Sequence, residues 1–157
     1  VVVCLREIVD ENRDAVLALR LPPEQERFVG SVHRALADAA KFPEAKGWYR
    51  AIYARDEPVG FVMVSWNIEP RPPDLIGPWF LWKLLIDHRY QGRGYGAEAV
   101  RQVMAIVRDA GATELLTSHA LGDGNPGGFY ERLGFEPTGE YDGNGEPVLR
   151  LSLDAVR

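Results

Sequence analysis

Hydrophobic positions along the chain follow two periods, and the change from one to the other marks out the elements. Val1–Ile8 is rich in β-branched residues and predicts a first strand; Val16 and Leu19 then stand at helical spacing within Glu11–Leu19, with Asp10 placed to cap that helix. Leu21-Pro22-Pro23 ends it. Phe28, Val32 and Leu36 recur one turn apart and predict a second amphipathic helix over Arg27–Ala40, closed by Pro43. Trp48–Ala54 and Val59–Trp66 are extended runs joined by the polar, proline-containing turn Arg55-Asp56-Glu57-Pro58, which predicts an antiparallel hairpin. The prolines of Glu69–Pro78 forbid regular structure there.

Trp79–Asp87 is the most apolar run and therefore a central strand. Gly94–Ala110 follows as the clearest helix, with Ala97, Val100, Met104 and Val107 on one face and Gly111 as its stop. Glu114–Ser118 predicts another strand and Asn125–Leu133 a short helix ending at Gly134; Tyr141 leads through the Asp142-Gly143-Asn144-Gly145 turn into a last strand, Pro147–Leu153. Strand, two helices, three strands, helix, strand, helix and terminal hairpin make a mixed α/β, or α+β, sheet domain.

Composition narrows the function. The 157 residues, 46% apolar and 26% charged, suit one domain spanning 1–157 with its own core. A net charge of −5 offers no long-range attraction to phosphate backbones or anionic lipid, so neither nucleic acid nor membrane is an expected partner. Cys4 is the single cysteine, and His33, His88 and His119 are scattered, so a cytoplasmic, metal-free protein is expected. Trp79–Ile86 is interrupted by Lys83 and falls far short of the ~20 apolar residues of a bilayer span. Val1–Leu5 is followed at once by charge and does not read as a signal peptide.

The chemistry concentrates in Ile86-Asp87-His88-Arg89-Tyr90-Gln91-Gly92-Arg93-Gly94-Tyr95-Gly96, where a buried strand turns through glycines into a long helix. Unpaired N–H groups at a helix start, with the positive end of the helix dipole, suit an anion, and glycine lets a phosphate come close. Arg93 adds a full positive charge. A Walker loop would need Gly-Lys-Ser/Thr, which is absent. Gly92-Arg93-Gly94-Tyr95-Gly96-Ala97 fits the dinucleotide fingerprint formally, but a hairpin and not a helix precedes the strand. A glycine turn that merely lets the helix pack is the remaining structural alternative.

These residues resemble the GNAT superfamily of acyl-CoA N-acyltransferases. Its Gln/Arg-x-x-Gly-x-Gly/Ala hallmark stands as Gln91-Gly92-Arg93-Gly94-Tyr95-Gly96, and its Tyr-x-x-x-Gly-Phe hallmark as Tyr130-Glu131-Arg132-Leu133-Gly134-Phe135. Both fall in the family's order and element succession, so the resemblance covers essentially the whole chain. It implies a central mixed sheet of about six to seven strands splayed into a V beside a bulge in the strand ending at Asp87, flanked by about four helices. It also implies acetyl-CoA as co-substrate, its pantetheine arm lying like an added strand along Leu84, Leu85 and Ile86, with an N–H near Leu85 as oxyanion donor.

By the same resemblance Tyr130 reaches the cofactor sulfur. A phenol of ordinary pKa, about 10, is protonated at neutral pH and can donate to a departing thiolate. Packing of the helix on the sheet beside Phe129 and Phe135 is its bland alternative. No carboxylate precedes Asp87 on the central strand, so a side-chain base and a water chain are equal alternatives for taking the amine's proton. Glu24, Glu26, Glu69, Glu140 and His119 could each end such a chain, with an ordinary surface role as the alternative for each. Asn125 precedes Tyr130 by five residues, closer than the asparagine many members use to hold the cofactor.

Within the superfamily the chain is most similar to bacterial diamine and polyamine acetyltransferases. That similarity rests on Pro23–Val29, on Leu84–Gly92 and on Thr138–Glu146. It makes the primary amine of a small polyamine or diamine the expected substrate, with Glu24, Glu26 and Glu140 as candidate cation-binding residues, and acidic loops that only keep the protein in solution as the equal alternative. Trp82 stands where some polyamine-acetylating members carry an acid. Other amines, such as an aminoglycoside, an amino acid or a peptide N-terminus, are the alternatives, together with a non-catalytic acyl-CoA sensor. Members of this superfamily often pair as homodimers, which makes a dimer an expectation here.

Overall fold

A computed structural model describes residues 2–26 and 30–153. Its seven-stranded sheet runs in the order β1 (Cys4–Arg6), β2 (Gly47–Ala54), β3 (Glu57–Ser65), β4 (Phe80–Ile86), β5 (Glu114–Ser118), β7 (Pro147–Ser152) and β6 (Glu136–Tyr141). All neighbours are antiparallel except β4 and β5. The most apolar strand, β4, is the middle one, as its composition predicts. Each strand pairing inferred from the turns is present, including both hairpins.

Among the described residues there are five α-helices, where about four are expected: α1 (Arg13–Leu17), α2 (Pro23–Glu26), α3 (Val32–Lys41), α4 (Tyr95–Asp109) and α5 (Gly127–Arg132). The extra one is α2, which begins at Pro23 where the sequence predicts only a stop, and the helix expected over Arg27–Ala40 is α3, starting at Val32. Ser31 caps α3 afresh, its hydroxyl accepting from Arg34 N at 3.1 Å, and α2 is a separate turn before it. Phe28 and its neighbours 27 and 29 lie outside the described residues. Asp10 is not the cap of α1. Asn12 holds that position and turns its amide backward, accepting from Val9 N and donating to Glu7 O.

The sheet is covered on both faces, so β3 alternates between two cores rather than between core and water. Val62 and Val64 pack with Ala99, Val100, Val103 and Val107 of α4, whereas Phe61 and Met63 meet Val16 of α1 and Val32 and Ala35 of α3. Complete burial of each such valine contributes about 1.5 kcal/mol or more. The buried stripe of α4 is rotated slightly from the predicted one: Ala97 and Met104 are half-buried, and Ala99 and Val103 replace them in the core.

Two features open the sheet at its centre. On the β3 side Met63 pairs with Lys83 but Val64 with Leu81, so Trp82 is an extra residue and β4 bends there. On the β5 side only Phe80 and Leu81 find partners, Leu116 and Thr117. Beyond Leu81 the two strands diverge into a V, which leaves one edge of Trp82–Ile86 without a strand partner.

Candidate active site

The loop that follows β4 is organised by Asp87. This buried carboxylate accepts from Arg20 N at 2.9 Å through one oxygen, and from Arg89 N at 2.9 Å and Arg89 Nε at 2.8 Å through the other. Burial alone would raise its pKa, but the Arg89 side chain and the two backbone donors outweigh that and hold it below the ordinary carboxylate range. Gln91 ties the far end of the strand: its amide donates to Ile86 O at 3.0 Å and pairs reciprocally with Gln25 of α2. Gly92 (φ 77°) and Gly94 (φ 83°) then adopt the left-handed conformation that side chains resist, and Gly94 is the N-cap of α4.

The resulting cleft, of about 540 Å³, fills the open side of the V. Leu84, Ile86, Gln91, Gly92, Gly94, Tyr95 and Gly96 line it, with Phe129 and Tyr130 of α5 opposite. It has the parts that a long anionic thioester needs: a glycine cradle at a helix start, then an apolar trough. A Cβ at Gly92 would meet no atom within 4 Å, so that side of the cradle is open space.

Two of the residues nominated for this cleft stand elsewhere, and a third is outside its lining at the rim. Asp87 N donates to Val59 O, and in an antiparallel ladder this turns the main-chain groups of Leu85 toward Phe61 of β3 and those of Leu84 and Ile86 toward the cleft. Leu85, whose side chain is also in the opposite core, therefore does not turn its N–H to the cleft, whereas Leu84 does. Asn125 uses its amide within its own turn, donating to Gly122 O at 2.7 Å and accepting from Gly127 N at 2.8 Å. Arg93 is exposed at the rim, with its guanidinium over the Tyr90 ring and donating to Arg89 O.

Tyr130 is 7% exposed and wedged edge-to-face between Phe129 and Phe135, with ring centroids 5.2 and 5.5 Å away. Burial pushes its phenol up to about 12, although the Thr117 hydroxyl beside it pulls the other way. The ring also lines a second cavity of about 610 Å³ on the other side of the V, and Leu84 and Pro126 line both as well. α3, the 69–78 loop, the end of β5 and the β6–β7 turn wall this second cavity. The loop and the turn meet where Gly143 N donates to Pro73 O at 2.8 Å.

The second cavity is not lined by the acids nominated for the substrate. Glu24 and Glu26 are exposed on α2, which borders the first cleft through Gln25, and Glu140 is exposed on the sheet's last strand. Glu69 is exposed as well. The carboxylates present are Asp38, Glu44, Asp74, Asp142 and Glu146, together with Arg34, Lys41, Arg71, Lys83 and His119. Of the proposed chain ends, His119 alone is there. The turn residues Asp142 and Glu146 stood within a segment already singled out, but nothing in their spacing said which side of the hairpin faces β5.

The Acetyltransferase (GNAT) family model matches residues 13–135, and the chain belongs to this family. It is 27% identical over 158 residues to the spermine/spermidine N(1)-acetyltransferase of Bacillus subtilis (strain 168), covering 95% of this chain and 97% of that protein. It is 32% identical over 116 residues to the peptidyl-lysine N-acetyltransferase YjaB of Escherichia coli (strain K12), covering 73% and 67%. Among solved structures the fold is similar to an acetyltransferase from Thermus thermophilus (TM-score 0.64, 20% identity, 98% of each chain). It is also similar to the PaiA N-acetyltransferase of Thermoplasma acidophilum in complex with coenzyme A (TM-score 0.63, 14% identity, 97% and 99%). The chain is accordingly an acetyl-CoA-dependent N-acetyltransferase. Among the described residues no helix is long and apolar enough to cross a membrane, and no cluster of three or more His, Cys, Asp or Glu could hold a metal.

Proposed function

We propose that the protein transfers acetyl from acetyl-CoA to a primary amine of a small polycation, with Tyr130 as donor to the departing sulfur. The observation that carries this is the place of Tyr130 at the junction of two cavities, one with a glycine cradle and an apolar trough, the other bearing five carboxylates. The co-substrate supplies the acyl thioester. The amides from Gly92 to Gly96, with Arg93 at the rim, suit its pyrophosphate, and the outward main-chain groups of Leu84 and Ile86 suit its pantetheine arm. Leu84 N–H faces the side where an oxyanion would develop.

A phenol at about 12 stays protonated and can always donate. It is also a weaker acid than an ordinary thiol, about 8.5, so complete transfer to sulfur runs uphill and its contribution is a hydrogen bond that stabilises the thiolate as it forms.

A second reading has a specific observation behind it. Arg34, Lys41 and Arg71 also line the acceptor cavity, which suits an amine that carries a carboxylate nearby, such as lysine in an acidic peptide. Thiol release measured with spermidine, spermine, putrescine, amino acids, aminoglycosides and lysyl peptides separates the two. The polycations are expected to have the highest kcat/KM. A lysyl peptide or a neutral amino acid ahead of them would replace the polyamine reading with the second one or with another amine, and cofactor binding without thiol release from any amine would indicate a sensor.

A further inference from the structure

The five carboxylates of the acceptor cavity differ in what already holds them. Asp38 is paired with Lys83 Nζ at 3.4 Å. Asp142 is committed to the β6–β7 turn: one oxygen accepts from Asn144 N and Glu146 N, each at 2.9 Å, and the other from Ser118 Oγ at 2.8 Å. Glu44 and Asp74 are exposed. Glu146 is half-buried, and its side chain faces inward, toward Ser118 and His119 at the end of β5 and Lys83 of β4, with Asp142 on its own turn. Thr117, Ser118 and Tyr130 line the same cavity as Glu146, which is the half-buried carboxylate there that neither pairs with Lys83, as Asp38 does, nor accepts the turn's backbone bonds, as Asp142 does.

We infer that Glu146 binds the reacting ammonium of the acceptor and takes its proton, and that Asp142 and Ser118 are its positioning residues. The inference rests on the second cavity being the acceptor site. The Asp142 hub makes the role possible, because it pins the hairpin turn to the end of β5 and fixes where the Glu146 side chain begins. Burial, with Asp142 adding to it, raises the Glu146 carboxyl above its ordinary value, while His119 and Lys83 pull it back. A raised value narrows the gap to an alkylammonium, about 10.4, and makes the carboxylate a better proton acceptor.

The proton inventory closes. One ammonium proton passes to Glu146. The freed lone pair forms the C–N bond to the acyl carbon as the C–S bond breaks. A second N–H proton ends on the sulfur, giving amide and thiol, and Glu146 returns the first proton to solvent.

The test is the pH dependence of kcat/KM for spermidine in the wild type and in Glu146→Gln. The wild type should lose activity as pH falls through the Glu146 pKa, because the protonated acid cannot accept, and should be flat above that while the amine stays protonated. The Gln variant must wait for free amine. Its kcat/KM should be lower near neutral pH by about 10²–10⁴-fold and should climb about tenfold per pH unit toward the amine's own pKa. Coenzyme A affinity by calorimetry should be unchanged. With coenzyme A bound in place of acetyl-CoA, spermidine should bind the variant at least about tenfold more weakly, as loss of a charged partner predicts. Glu146→Asp should keep the acid limb at a lower kcat. A Gln variant whose profile keeps the wild-type shape, with unaltered spermidine binding, would overturn the assignment. If the wild type acetylates another amine and not spermidine, the polyamine reading fails by itself, and the same comparison with that amine decides the role of Glu146.

Discussion

At the scale of single residues, the packing of the Tyr130 ring and the role proposed for its hydroxyl can be separated by mutation. The ring packs between Phe129 and Phe135 and the hydroxyl meets Thr117, so Tyr130→Phe should keep the fold and the coenzyme A affinity while lowering kcat by about 10²–10³-fold, the loss of one preorganised donor. The pH profile of that variant should have the shape of the wild-type one. An unperturbed phenol would give a basic limb near pH 10; one pushed up to about 12 stays protonated throughout the assay range, so neither protein should lose activity through this group on the alkaline side. A basic limb present in the wild type and absent in the Phe variant would mean that the occupied site lowers the phenol's pKa. Tyr130 was legible in the sequence because Tyr130–Phe135 is a contiguous signature. Thr117, Asp142 and Glu146 were not, since their meeting depends on the pairing of β5 with β7, which places Ser118 opposite Val148 and so brings the turn beside β5.

At the scale of elements, the passage from β4 into α4 forms the cleft proposed for the cofactor, and most of its lining could be read directly. A buried strand, a polar turn and glycines before a periodic helix have one economical arrangement, and Gln91, Gly92, Gly94, Tyr95 and Gly96 do line the cleft. What could not be read was the ladder parity. Leu84, Leu85 and Ile86 are equivalent as apolar residues, but the register with β3 turns alternate main-chain groups outward and so sets Leu85 apart. The resemblance implies a bulge in this strand, but its place at Trp82 was hidden, because it is set by the register of two strands together.

The glycines at the start of α4 can be tested as an element. Gly94→Val places a β-branched residue at φ 83°, at a strain of about 1–3 kcal/mol, and puts a side chain in the cradle. Coenzyme A affinity by calorimetry should fall at least tenfold, by about 1.4 kcal/mol or more. Gly111→Val is the control: it carries comparable strain at φ 109°, with open space around it, at the other end of the same helix. It should cost stability without altering coenzyme A binding. Equal losses of affinity in both variants would mean that the effect is transmitted through helix stability and not through the cradle.

At the scale of the whole molecule, a net charge of −5 hides a local balance of both signs in the second cavity, and the proposed preference for a polycation depends on it. The acceptor cavity holds five carboxylates against Arg34, Lys41, Arg71 and Lys83, and the Asp38–Lys83 pair removes one of each sign. The exposed cations then act at the mouth while Glu146 acts inside. Arg71, on the 69–78 loop, is the informative position because it is exposed and takes no part in the cleft beneath α4. Reversing its charge should help a polycation and hinder a substrate bearing carboxylates. With exposed charge pairs at about 0.2–1 kcal/mol, Arg71→Glu should raise kcat/KM for spermidine by about two- to tenfold at low salt and lower it for an acidic lysyl peptide by a similar factor. Both changes should shrink as ionic strength rises and the Debye length falls below ~10 Å. Wild-type activity on spermidine should itself decline with salt, since attraction to Asp74, Asp142 and Glu146 is screened in the same way. A variant that moved both substrates in one direction, or a spermidine rate indifferent to salt, would place the selection of the amine in the shape of the cavity, and the carboxylates at its mouth would revert to ordinary surface charge.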